Sequence, residues 1–439
     1  MKQEATTKPT PRTPPLEFPG ERSSLTVLAT VSLIAGGAAG LVGAIFRRLL
    51  DEANTGRGLL IEWAHGYELL GLVLIVALAA AATAFAAWLV RRFSPEASGS
   101  GIPHVEAVLH EKASPAAYVL LPVKFFGGLA AIGAGLALGR EGPTVQMGAS
   151  VAHLVGRLFR LSLDDARILL AAGAGAGLAT AFNAPIAGAV FVLEELMRRF
   201  DTRITIATLG ASASAIGVSR LILGQAPDFT VDLMPFPEYG STPAFIVLGL
   251  FVGILGVAYN RAIVGCLALS DRMNTIPAEA RAAAVGAAVG LLAWYAPDLV
   301  GGGDPIAERA LTGQTVVTML PLLFALRFVL GAVSYAACTP GGLFAPMLVL
   351  GAQAGLFFGT YACRWFPLAG QHPTAYAITG MAAFFTATVR APVTGIILVI
   401  ELTGSDTLLL AMLAACFTAM VVPTLVGNPP IYDSLGKRP

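Results

Sequence analysis

Gly139-Arg140-Glu141-Gly142-Pro143 sets a single glutamate between glycines in one of the most apolar parts of the chain. Residues 125–139 carry no charge, and the next charged residue after Glu141 is Arg157. Glu141 therefore lies at or near membrane depth, where a carboxylate costs about 2.5–3.5 kcal/mol on insertion scales and marks a functional site by default. Glycine lets the backbone turn where a side chain would not fit, and proline favours the first turn of a helix. The stretch predicts a helix that starts at the glutamate, inside the membrane.

The rest of the composition fits that reading. Of 439 residues, 56% are hydrophobic and only 13% charged, against roughly 25% charge in soluble domains, and the mean hydropathy is +0.73. Charge-free runs at 239–260, 343–363 and 407–432 reach the ~20 residues that a helix needs to cross a bilayer. The fold class is an all-α polytopic membrane protein. A net charge of +1 gives no ground for a nucleic-acid partner. Four cysteines without a CxxC pair and five histidines without an HExxH motif give no ground for a disulfide framework, a metal or a cofactor.

Residues 1–24 hold five prolines and mixed charges with no apolar core, and read as a mobile, cytoplasmic tail. Spans are expected at about 24–46, ending at Arg47-Arg48, and at 69–90, 116–138, 168–199 (broken at Asn183-Ala184-Pro185), 204–224, 243–267, 281–299 and 316–337. Pro340-Gly341-Gly342 cuts the charge-free run 328–363 into two helices, and Ala391-Pro392 breaks another segment. Lys124 and Arg327 read as snorkelling side chains. For Glu194 and Glu195, which precede Arg198 and Arg199, the plain expectation is i,i+4 pairing at a membrane surface.

Two halves of the chain repeat. Gly139-x-x-x-Pro143-x-x-x-x-Gly148-Ala149 returns as Gly342-x-x-x-Pro346-x-x-x-x-Gly351-Ala352, with Lys124-Phe125 matching Arg327-Phe328 at the same offset of 203. Ala184-Pro185-x-x-Gly188 with Glu194 returns as Ala391-Pro392-x-x-Gly395 with Glu401, at offset 207. The expected organisation is the tail 1–24, a first transmembrane repeat 25–225, a polar loop 226–242 and a second repeat 243–439. Gly/Pro-broken apolar segments at matching places in two halves point to a transporter site near the bilayer midplane.

Glycine-rich breaks precede predicted helices at Ser100 (Gly99-Ser100-Gly101-Ile102-Pro103), at Glu141-Gly142 and at Leu343-Phe344. Each exposes unpaired N–H groups at a helix end that carries roughly half a positive charge. Three such ends converging would bind an anion without a lysine or arginine, holding it well enough to dehydrate it and weakly enough to release it. A carboxylate beside them competes for the same donors. Protonated, it would let go, so anion passage and proton binding become linked. The other class to weigh is a membrane-embedded hydrolase using Ser100, with His104 close in sequence.

The set GSGIP (99–103), GREGPTVQMGA (139–149), AFNAPIAGAVFVLEE (181–195), GGLFAP (341–346) and PIYDSL (430–435) resembles the CLC family of chloride channels and chloride/proton antiporters, in order and spacing over nearly the whole chain beyond the tail. The resemblance implies an inverted-repeat bundle of tilted and broken helices, assembled as a homodimer with one anion pathway per subunit, in the bacterial inner membrane. It implies that Ser100 and Tyr432 hold a central chloride with their hydroxyls. The backbone at Gly101, Ile102, Gly142, Leu343 and Phe344 would face the anion, and Glu141 would be the external gating glutamate. Glu195 matches the internal glutamate that antiporters place on a separate proton route, which favours chloride/proton antiport over a passive channel. Ser100 matches chloride-type members rather than those with proline there, which favour nitrate.

Overall fold

The computed structural model describes residues 23–438 apart from 226–228, 230, 232–233, 235, 238 and 367–371. Most of the predicted tail and much of the polar loop lie outside the described residues. The chain folds as α1 (Leu25–His65), α2 (Glu68–Phe93), α3 (Ile102–Leu109), α4 (Leu120–Gly133), α5 (Glu141–Leu158), α6 (Leu163–Phe182), α7 (Pro185–Phe191) and α8 (Thr202–Leu223). There follow α9 (Thr242–Arg272), α10 (Ala278–Tyr295), α11 (Asp304–Leu311), α12 (Leu320–Tyr335), α13 (Phe344–Trp365), α14 (Pro373–Val389), α15 (Pro392–Thr403), α16 (Leu409–Leu425) and α17 (Ile431–Gly436). Among the described residues, seven helical segments are long and apolar enough to cross a membrane.

Helices α3 to α8 and α11 to α16 follow one another in the same order, with starts shifted by 200 to 210 residues. Their packing repeats too. A Cβ on Gly148 of α5 would lie 2.3 Å from the carbonyl of Gly173 on α6, and one on Gly351 of α13 would lie 2.5 Å from the carbonyl of Gly380 on α14. These glycines let the backbones touch, which is how helices gain contact where lipid removes the hydrophobic drive. Helices α5, α6, α13 and α14 form the buried interior, so the charge-free run 343–363 is a core helix rather than a lipid-facing span.

Three expectations need correction. Helix α1 does not end at Arg47-Arg48 but continues to His65: Arg48 pairs with Glu52 one turn on at 3.3 Å, and no proline interrupts residues 48–65. At 41 residues it is about 60 Å long, twice a bilayer's hydrocarbon thickness, and must tilt or project.

Lys124 and Arg327 do not snorkel: they are 0% and 1% exposed. The ammonium of Lys124 donates to the carbonyls of Ala97 (3.0 Å) and Gly99 (2.7 Å). Arg327 donates to those of Leu299 (3.2 Å), Gly301 (2.9 Å) and Gly302 (2.8 Å). Each cation fastens the loop before a short helix, α3 in one case and α11 in the other, by satisfying carbonyls that are out of reach of any helix ladder.

Glu194 is not paired one turn along its own helix. Its carboxylate accepts from the N–H groups of Val393 (3.0 Å) and Thr394 (2.7 Å) at the start of α15, while Glu401 accepts from Ile186 (3.0 Å) and Ala187 (2.7 Å) at the start of α7. Both helices open with proline, which has no N–H, so the next two amides are the ones that need a partner. The glutamates satisfy them reciprocally across the molecule. Residues Val192–Leu196 form a wider π turn, which removes the i,i+4 geometry on which the expected pairing depended.

Candidate anion site

Helix α5 begins at Glu141, α3 at Ile102 and α13 at Phe344, each just after its glycine-rich break. The three breaks are tied together by backbone hydrogen bonds. Gly99 N–H donates to Thr339 O at 3.0 Å and Gly341 N–H to Gly99 O at 3.0 Å; Gly139 N–H donates to Gly342 O at 2.9 Å and Gly342 N–H to Gly139 O at 2.7 Å. A Cβ on Gly142 would lie 2.8 Å from Ser100 Cα and 2.9 Å from Gly342 Cα. Only glycine there lets the three segments meet, so the structure brings Ser100, Gly142 and the α13 start to one point.

The Glu141 side chain is fully buried. Its Oε1 accepts from Ala345 N–H at 3.1 Å, and the N–H of Phe344 also faces the carboxylate. A Cβ on Gly139 would lie 2.0 Å from Oε2, and one on Gly342 would lie 2.5 Å from Oε1. The carboxylate thus fills a glycine-walled cradle at the positive end of α13, a place suited to any anion. Arg140 does not turn toward its neighbour: its Nε donates to Ala181 O at 3.0 Å and its head group lies 3.6 Å from Asp51 and 3.9 Å from Asp304. A cavity of 250 Å³ is lined by Arg140, Asp51, Asp304 and Ala345, so it runs up to the backbone that holds Glu141.

Ser100 is buried; its Oγ accepts from Ile102 N–H at 3.3 Å and from the Tyr335 hydroxyl at 3.4 Å. The amide of Ile102, expected to face an anion, is therefore engaged by Ser100. Gly101 has φ +76°, and a Cβ on it would lie 2.1 Å from Gln146 Oε1, so the turn into α3 requires glycine. His104 approaches Gln146 (3.5 Å between Nδ1 and Nε2), whereas the two hydrogen bonds at Ser100 Oγ come from Ile102 and Tyr335. Tyr432, on α17, is fully buried, its ring 6.2 Å from that of Phe344. Its hydroxyl has no hydrogen-bond partner among the described residues. An orphaned buried hydroxyl calls for a ligand or water.

The chain belongs to the voltage gated chloride channel (CLC) family. The family's model matches residues 82–424. The "H(+)/Cl(-) exchange transporter ClcA" of Vibrio cholerae is 40% identical over 423 residues, covering 93% of this chain and 88% of that protein. Among solved structures, a slow cyanobacterial Cl-/H+ antiporter superposes with a TM-score of 0.90 at 33% identity, covering 94% of this chain and 97% of the other. A eukaryotic CLC transporter superposes with a TM-score of 0.79 at 24% identity, covering 94% of this chain and 74% of the other, which speaks for the fold alone. The protein is an integral, multi-pass CLC membrane protein with the inverted-repeat fold.

Glu195 stands apart from this point. It is 4% exposed, and its carboxylate lies 3.9 Å from Arg198, which also meets Asp433 at 2.7 Å and Glu106 at 3.1 Å. Three acids on separate segments of this CLC protein thus share one arginine. Sequence reasoning missed this cluster and Tyr335: Glu195 and Asp433 lie in motifs, but Glu106, Arg198 and Tyr335 do not, and only the fold brings the partners together.

Proposed function

We propose that this protein is a chloride/proton antiporter in which Glu141 alternately occupies the anion pathway and carries the proton. The observation that carries this is the carboxylate of Glu141 seated on the α13 amides, in a cradle that a chloride could fill in its place. Deprotonated, the carboxylate holds the donors; protonated, it loses its charge-assisted bonds there and yields to chloride. Ser100 and Tyr432 would hold the central ion by their hydroxyls, with backbone at Gly101, Ile102, Gly142, Leu343 and Phe344 around it. Glu195, in its acidic cluster, would pass the proton to the inward side. The named exchangers among the relatives favour antiport over a passive channel, and the engagement of Ser100 by Ile102 and Tyr335 supports transport over hydrolysis.

By the same family reading, residues 25–225 and 243–439 are the two repeats, and two subunits form a homodimer with one pathway each in the bacterial inner membrane. The test is Glu141→Gln in liposomes, with chloride and proton fluxes recorded together. Chloride movement without coupled protons is expected, and coupling that persists at the wild-type ratio would remove Glu141 from the mechanism.

A further inference from the structure

Tyr335 is the last residue of α12. Its hydroxyl accepts from the Ser100 N–H at 3.3 Å and donates to Ser100 Oγ at 3.4 Å. The side chain is 6% exposed. Gly99, with φ +61°, makes room for it: a Cβ there would lie 2.9 Å from the phenol oxygen. The contact is therefore built by two segments far apart in sequence.

A serine hydroxyl has one proton and two acceptor lone pairs. At Ser100 one pair is taken by Ile102 N–H and the other by Tyr335 O–H. What remains is the proton, so the hydroxyl can act toward a ligand only as a donor. The same phenol oxygen also occupies the Ser100 N–H, which fixes the loop that carries the hydroxyl. We propose that Tyr335 is a positioning residue that holds the Ser100 hydroxyl as a donor to chloride and thereby sets anion affinity and selectivity. This rests on the reading of Ser100 as a chloride-holding residue.

Releasing the rotor returns it to about three staggered wells, which alone costs about threefold in affinity. Loss of the polarising Tyr–Ser hydrogen bond adds to this. Tyr335→Phe removes one oxygen and keeps the ring, so packing is retained. The experiment is calorimetric chloride titration of purified wild type, Tyr335→Phe, Ser100→Ala and the double variant, all eluting as one monodisperse species, with chloride and nitrate exchange rates measured in liposomes alongside.

Tyr335→Phe is expected to weaken chloride binding roughly three- to tenfold and to shift the chloride-to-nitrate rate ratio toward that of Ser100→Ala. In the Ser100→Ala background it should add nothing further. Unchanged affinity in Tyr335→Phe, losses that multiply in the double variant, or equal slowing of both anions would overturn the proposal. Unchanged affinity in Ser100→Ala would instead show that the reading of Ser100 itself fails, and the role of Tyr335 with it.

Discussion

Laid over one another at their offsets, the two halves agree where the chain is scaffold and differ where it does chemistry. Lys124 answers Arg327, each a buried cation on the carbonyls of a loop; Glu194 answers Glu401, each capping the other half's helix. By contrast Glu141 lies opposite Phe344, Ser100 opposite Gly302 and Glu195 opposite Leu402. The same backbone device, a glycine-rich break before a helix start, is used twice, and only one copy carries a carboxylate. The other copy supplies the amides that receive it. In the proposed mechanism one half donates and the other competes, so an exact repeat would supply no competing carboxylate.

The comparison predicts that unrepeated residues govern transport and that repeated ones govern stability, except where, as at Lys124, a repeated residue fastens the loop that carries an unrepeated one. The largest effect is expected at Glu195: Glu195→Gln should abolish coupled proton movement while chloride still crosses, and liposomes that pump protons normally would mean that another residue does this work. Lys124 and Arg327 sharpen the comparison further. Lys124→Met removes one of the two donors to the carbonyl of Gly99, next to Ser100, and should weaken chloride binding roughly tenfold, about 1.4 kcal/mol. Arg327→Met, whose loop leads to α11, should lower thermal stability with chloride affinity within twofold of wild type. Equal losses of affinity by calorimetry would break the distinction.

The smallest effects are expected at the reciprocal caps. Glu194→Gln keeps an acceptor oxygen but loses the charge, and Glu401→Gln does the same for α7. Each should lower stability by about 0.5–2 kcal/mol, the usual range for a helix cap. Thermal unfolding in detergent should place the two variants close together. A large difference between them, or loss of proton coupling in Glu194→Gln alone, would show that this pair is not mere scaffold.

Much of this was legible in the sequence, and the reason is local. Gly-Pro breaks announce helix starts because they act through the backbone of a few residues; α5 begins at Glu141 and α13 at Phe344, where the motifs put them. The halves could be aligned because packing glycines such as Gly148 and Gly351 have no substitute at a backbone contact. What could not be read is long-range. The partners of Lys124 and Arg327 are carbonyls, which every residue has, so no side-chain pattern marks them. Arg198 meets Glu106 and Asp433 only because α3 and α17 pack beside the end of α7, and Tyr335 reaches Ser100 across 235 residues. Helix α1 ran past its predicted end because a basic pair stops a helix from being apolar without stopping it from being helical.

The central claim is that chloride and protons exchange at a shared site, and one measurement addresses it directly. Purified wild-type protein in liposomes loaded with high chloride is diluted into low chloride, with voltage clamped by potassium and valinomycin so that the proton's own driving force opposes entry, and external pH is followed. Chloride efflux should draw protons uphill into the vesicles and raise the external pH. Chloride efflux with no uphill proton flux would contradict the account and leave a channel or an uncoupled carrier.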